Sequence, residues 1–171
     1  MSCDLTAGRA WKCKEQLGGI EAVYFANFGQ LTGLTVTNGE ITTGLSGKTL
    51  YKYELPEYTA SLTENLTASA ENGTIVFEQV LEMTLHQLSA SDRNEIKLLA
   101  TGRPHIIVVD NNGNKILLGF KKGMNVTAGT AVTGAAGADL SGYTLTFTGN
   151  EKDSFPFITD DLTNATIVTG S

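Results

Sequence analysis

The chain has 171 residues, with 12 Lys and Arg against 18 Asp and Glu, a formal charge of −6. Its length, close to the usual domain size of roughly 100–150 residues, argues for one domain. Glycine (19) and threonine (23) are abundant, and proline (3) and tryptophan (1) are scarce, which excludes an all-helical bundle and favours strands joined by tight turns. The acidic balance and the lack of any Lys/Arg run exclude sequence-reading contacts with nucleic acid, which need clustered cations. No stretch approaches the roughly 20 apolar residues of a membrane span.

Residues 1–18 read as an arm. Asp4, Arg9, Lys12 and Lys14 interrupt the region where a signal peptide would carry its continuous apolar core, so export by that route is not expected. Cys3 and Cys13 are the only cysteines, and His86 and His105 lie far off in sequence, so no metal site is expected. The two thiols read as reduced in a cytosolically made protein, with a local disulfide as the alternative in an oxidising compartment. The sequons at Asn65, Asn72, Asn125 and Asn164 read as turn and strand residues.

Along the chain, residues 20–28 form an apolar and aromatic run that predicts a first strand. Asn38-Gly39 suits a two-residue hairpin turn between residues 34–37 and 41–43. Residues 50–55 read as another strand, ending at Pro56. The strongest strand signal covers residues 74–88. Ile75, Phe77, Leu81, Met83 and Leu85 fall on one face and Glu78, Glu82, Thr84 and His86 on the other, implying one dry and one wet face. Its antiparallel partner is residues 61–69, across a turn at Asn72-Gly73.

At Ser89 the period changes. The serine is an N-cap with an acid, Asp92, three residues on, and Ile96, Leu99 and Ala100 recur at helical spacing before Gly102 and Pro104, predicting a helix over 90–101. Residues 106–109 and 115–120 flank Asp110-Asn-Asn-Gly-Asn114 and predict a β-hairpin. Residues 123–142 are a Gly/Ala/Thr/Val tract too poor in bulky side chains to build a core, expected as a loop or as a strand that pairs on assembly. Tyr143, Leu145 and Phe147 alternate with Thr144, Thr146 and Thr148 in a late strand. Residues 153–171 read as an extended arm.

No constellation for chemistry emerges. The Asp110–Asn114 turn lacks the alternating acids and terminal glutamate of a calcium loop. On an extended strand Glu78 and Glu82 stand about 13 Å apart, too far to act on one bond. No nucleophile elbow, phosphate-binding glycine loop or paired-histidine motif is present. His105 reads as a strand-edge residue, and Lys121-Lys122 as a solvated hairpin end. What remains is an acidic strand face, with Glu64 or Glu71 on the neighbour and Glu78 and Glu82 on the long strand. It reads either as an ordinary solvated face or as a lining past which polyanions slide, since like charges repel within about 8–10 Å.

Four pieces of the sequence, over about residues 60–150, resemble the tail-tube protein superfamily of bacteriophages. They are the hairpin at Asn72-Gly73 with its long strand, the helix Arg93-Asn-Glu-Ile-Lys-Leu-Leu99, the hairpin at Asn111–Gly113, and Gly142-Tyr-Thr-Leu-Thr-Phe-Thr-Gly149. Some uncharacterised virion proteins of phages infecting Bacteroidetes are similar across most of the chain, including Val23-Tyr-Phe25 and the Gly/Ala/Thr tract. The resemblance implies a mainly β fold, an antiparallel β-sandwich or barrel with one flanking α-helix, in a single domain. It also implies a structural protein of the virion tail, made in the host cytoplasm, without enzymatic activity, cofactor or metal. Subunits of this kind join sheets edge to edge into rings, usually hexamers, that stack as a channel for genomic DNA and contact other tail or connector proteins. Six copies of a −6 chain carry −36, and Glu64, Glu71, Glu78 and Glu82 become candidates for the lumen. The 123–142 loop and the terminal arms are candidates for contacts between rings. A connector or short-tail ring protein would look alike. The alternative from another class is an extracellular carbohydrate-binding or adhesin β-sandwich, for which Tyr51, Tyr53 and Tyr58 would supply aromatic surface.

Overall fold

A computed structural model describes residues 3–170. The strands are β1 (Ile20–Ala26), β2 (Glu40–Ile41), β3 (Thr49–Glu54), β4 (Ala60–Ser69), β5 (Thr74–His86), β6 (His105–Asp110), β7 (Lys115–Leu118), β8 (Asn125–Val132), β9 (Gly142–Glu151), β10 (Phe157–Ile158) and β11 (Thr166–Thr169). One helix, α1 (Ala90–Thr101), follows β5, and a 3-10 turn spans Leu162–Asn164. The strands form a seven-stranded sheet in the order β11-β3-β1-β6-β7-β10-β2 and a four-stranded sheet in the order β4-β5-β9-β8. The protein is therefore a mainly β sandwich with one helix.

Strand β1, inside the larger sheet between β3 and β6, explains why there are two cores. Its sequence IEAVYFA is apolar at nearly every position, the signature of a strand covered on both faces. Ala22, Tyr24 and Ala26 face one core and Val23 and Phe25 the other, with Ile20 brought into the second by a register slip between Ile20 and Ala22. The inter-sheet core joins Phe25, Ile106, Val108 and Leu118 to Leu81, Met83, Leu145 and Phe147 of the smaller sheet. Phe25 packs between Tyr53 and Phe147, with ring centroids 4.7 and 5.4 Å away. The outer core covers the other face of the larger sheet with Leu31, Ile41 and Leu45 from the chain between β1 and β3, and with Ile158, Leu162 and Ala165. Each fully buried aliphatic or aromatic side chain contributes about 1.5–3 kcal/mol.

Local signals act where expected. Asn38 and Gly39 take φ of 53° and 80°, the two left-handed positions of the hairpin turn, and Thr37 and Glu40 exchange backbone hydrogen bonds across it. Ser89 caps α1 by accepting the Asp92 N–H at 3.1 Å and donating its hydroxyl to Asp92 Oδ2 at 2.6 Å. The helix buries no residue fully. Only Ile96 and Leu99 reach the inter-sheet core, so α1 flanks the sandwich.

Several expectations need correction. Residues 153–170 are not an arm: β10 pairs with β7 and β2, β11 pairs with β3, and Ile158, Leu162 and Ala165 are buried. These apolar anchors stand at helical spacing, four and three residues apart, yet Ile158 docks from β10, Leu162 from the 3-10 turn and Ala165 from the residue after it, so their period does not report the structure they adopt. The pairings β11–β3 and β10–β2 are parallel, so the larger sheet is mixed. The 123–142 tract is not wholly a loop, since β8 already pairs with β9 in the single chain; only residues 133–141 connect them. Of residues 34–37, only Thr37 makes a bridge. His105 is fully buried on β6, a central strand, not at an edge.

Because the final segment closes the outer core, Leu162→Ala should lower stability by about 2–5 kcal/mol. Urea unfolding would read this as a lower midpoint at unchanged slope, whereas a detached arm would leave the midpoint where it is.

Candidate functional site

The smaller sheet holds the acidic residues singled out by sequence, and strand register divides them. Glu78 pairs across with Asn65 of β4 and Asn150 of β9, and Glu82 with Ser61 and Thr146. Both glutamates are exposed, while Gln79, Leu81 and Met83, in the opposite phase of the strand, are buried, so Glu78 and Glu82 stand on the outer face. They share it with Thr63, Thr67, Thr84, Thr144, Thr146 and Thr148 by alternation. Glu71 is exposed in the β4–β5 turn, beyond the face itself. No Lys or Arg occurs anywhere in β4, β5, β8 or β9.

Glu64 does not belong to this face. It pairs opposite Gln79, in phase with Leu62, and its carboxylate is consumed internally. Oε2 accepts from Gln79 Nε2 at 3.1 Å and from the Phe155 N–H at 3.0 Å, and Oε1 accepts the Ser154 hydroxyl at 2.6 Å. The sequence carried the clue in the spacing Leu62-Thr-Glu64-Asn-Leu66, which sets Glu64 among inward positions.

Sequence reasoning also missed Gln79, a polar residue on the apolar face of β5 and 1% exposed. Its Oε1 accepts the Gly119 N–H at 3.0 Å. The Gly119 carbonyl accepts from His105 Nδ1 at 2.7 Å, and His105 Nε2 accepts the Gly29 N–H at 3.0 Å. A carbonyl can only accept, so His105 is neutral with its proton on Nδ1. Phe28 stacks on the imidazole at 5.4 Å, and the Arg103 guanidinium lies 4.3 Å over the Phe28 ring. Nearby, Glu151 Oε1 accepts the backbone N–H groups of Lys121 and Lys122 at 3.1 and 2.8 Å. These contacts fix the corner between the sheets and expose no reactive group.

The remaining candidates are structural or separate. Asp110 Oδ1 accepts from the Asn112 and Asn114 N–H groups at 2.9 and 2.8 Å, so its carboxylate closes its own hairpin. Cys3 and Cys13 are free and exposed. Among the described residues, no group of three or more His, Cys, Asp or Glu side chains could hold a metal, and no helix is long and apolar enough to cross a membrane. Tyr51 and Tyr53 line one cavity beside α1, while Tyr58 lines another near Gly19, so the three do not form one platform. Comparisons with protein-family models, with curated proteins and with solved structures give no match.

Burial pushes the His105 pKa down, partly opposed by the Gly119 carbonyl and the Glu151 charge. The unfolded chain therefore takes up this proton first as pH falls, and stability is lost from about pH 6.5 downward until the folded histidine also titrates. Urea midpoints measured from about pH 7.5 to 5 should fall, and His105→Gln should remove the His105 part of that slope.

Proposed function

We propose that this chain is a non-enzymatic structural subunit of a phage tail, a tail-tube or connector ring protein that assembles through strand edges around a channel for DNA. The observation that carries the reading is the smaller sheet. Its outer face is hydroxyl-rich and bears Glu78 and Glu82, and its four strands contain no cation. A lining without Lys or Arg offers no phosphate-binding charge, so a polyanion can pass it without being held.

The edges of that sheet support assembly. Monomeric proteins blunt edge strands with short length, charged side chains, Pro, bulges, inward-pointing charges or a covering helix or loop. The larger sheet follows this rule, ending in a four-residue and a two-residue strand, β11 and β2. By contrast, the smaller sheet ends in β4 and β8, of 10 and 8 residues without Lys or Pro. β8 has no charged residue, so the inward Glu64 of β4 and the register shift of β8 between Val126 and Ala128 are the edge-blunting features within these strands. Edge β4 of one copy meeting edge β8 of the next would continue the sheet and its cation-free face around a ring.

Two measurements test this. Negative-stain microscopy over a concentration series should give rings or tubes with a central hole. Glu78→Lys with Glu82→Lys should leave those particles intact but abolish or sharply reduce DNA delivery by virions carrying the variant. Unchanged delivery by fully assembled particles would remove the lumen role of this face.

A further inference from the structure

His105 uses both of its ring nitrogens. Nδ1 donates to the Gly119 carbonyl at 2.7 Å, and Nε2 accepts the Gly29 N–H at 3.0 Å. The two partners answer differently to a second proton. A carbonyl accepts from imidazole and imidazolium alike, so the Gly119 contact survives protonation, and with it the bond from the Gly119 N–H to Gln79 that joins the sheets. The Gly29 N–H can only donate. A proton on Nε2 sets two N–H groups against each other at a fully buried side chain, where an unmatched donor is costly.

The Gly29 side is also the side that can yield. Gly29 stands in the turn 27–30 between Ala26 at the end of β1 and Leu31, both buried, whereas Asn27, Phe28 and Gly29 are exposed. Little apolar area therefore leaves the interior when the turn swings out on those two anchors. Its own closures are long: the Gln30 N–H donates to the Asn27 carbonyl at 3.2 Å, and the Gly29 carbonyl accepts the Thr32 hydroxyl at 3.1 Å. Gln30 Oε1 is buried in the closed turn with no hydrogen-bond partner among the described residues, a penalty that water relieves on opening.

The charges around the ring come from three elements. Arg103, two residues before it, holds its guanidinium 4.3 Å over the Phe28 ring that stacks on the imidazole. Lys121 and Lys122 stand in the turn after β7, with the Lys121 ammonium 4.3 Å over Phe120. Glu151 of β9 favours the imidazolium, but burial outweighs it and lowers the His105 pKa. Turn 27–30 has no charged residue, and β5 brings the neutral Gln79. A protonated ring therefore gains by meeting water, which an opened turn admits.

We infer that turn 27–30 is an acid-released clasp: a second proton on His105 breaks the Gly29 bond, the turn swings out with Phe28, and the inter-sheet line through Gly119 and Gln79 stays closed. The release withdraws Phe28 from the cavity of about 400 Å³ that it lines with Tyr51 and Leu98 beside α1, so acid changes the surface there. This is a local opening with the sandwich intact, distinct from the loss of global stability, and it does not depend on the proposed function.

Hydrogen exchange of the full chain from about pH 7.5 to 4, resolved at the Gly29 and Gly119 amides, tests the clasp. With intrinsic rates divided out, Gly29 should lose about tenfold or more of its protection as the His105 ring signals titrate by NMR, while Gly119 keeps its own. His86, the other histidine, is exposed at the end of β5, and His86→Gln should leave the profile unchanged. His105→Gln, neutral throughout, should make Gly29 protection independent of pH. Where that variant does not fold, the unsubstituted chain and Arg103→Gln decide: the latter removes a like charge beside the ring at an exposed position and should move the Gly29 transition to higher pH. Gly29 protection that holds while His105 titrates would overturn the inference. Equal losses at Gly29 and Gly119 would overturn it too, because they report unfolding of the whole sandwich, as would a His105 that takes up no proton before the sandwich unfolds.

Discussion

The structure depends on a line of hydrogen bonds that crosses the sandwich from Gly29 through His105, Gly119 and Gln79 to Glu64. Buried polar groups cost free energy unless each finds a partner, so five residues from three stretches of the chain, at 29, 64–79 and 105–119, must meet at one geometry. His105 fixes the turn after β1 and the turn after β7, Gln79 joins the larger sheet to the smaller, and Glu64 receives the chain again at Ser154 and Phe155. Apolar packing is tolerant of small slides between sheets, but this line is not. A one-residue slip of β5 would turn Gln79 outward and orphan the Gly119 N–H. Gly119 itself holds φ of 64°, and a Cβ there would lie 2.5 Å from the Gly123 carbonyl carbon. The turn that delivers both of its backbone groups to the line is therefore open only to glycine.

The parts of the fold that were legible in the sequence are those set by neighbours along the chain. The alternation in β5 and β9, the capping serine of α1 and the Asn38-Gly39 turn each act within a few residues, and each appears where its local chemistry puts it. What was not legible depends on contacts distant in sequence. The parallel pairing of β11 with β3 joins Thr166 to Thr49, and no local period encodes such a pair. His105 opens a strand after a proline, which reads as an edge until β1 and β7 are found on either side of β6. Glu64 is intermediate: its phase with Leu62 was visible, but a glutamate among inward positions makes sense only once Gln79 and Phe155 are there to meet it.

This division also reshapes the candidate site. Of the four acids first grouped together, Glu64 stabilises the interior, Glu71 sits in a turn, and Glu78 and Glu82 remain on one surface. The surface is then defined less by its two acids than by what its strands omit. The 12 cations of the chain all lie outside the smaller sheet, and a long strand with Thr, Glu and His outward is equally compatible with Lys as far as folding goes. Folding gives no evident reason for the omission, whereas the passage of a polyanion proposed above would.

The two sheets resolve their edges in opposite ways, and the contrast bears on why the smaller one is built as it is. A two-residue edge strand such as β2 presents too few free backbone groups to recruit a partner. β8 presents eight residues of small, uncharged side chains, disturbed by the register shift between Val126 and Ala128 and by the approach of α1. Small side chains let another backbone approach closely, and a charge-free edge raises no barrier to it. For a protein that functions as a single copy this is an aggregation hazard, since a bulge in one strand leaves the other edge, β4, open. For a subunit that closes a ring the same two edges are the joint, and the ring removes the hazard by pairing each of them.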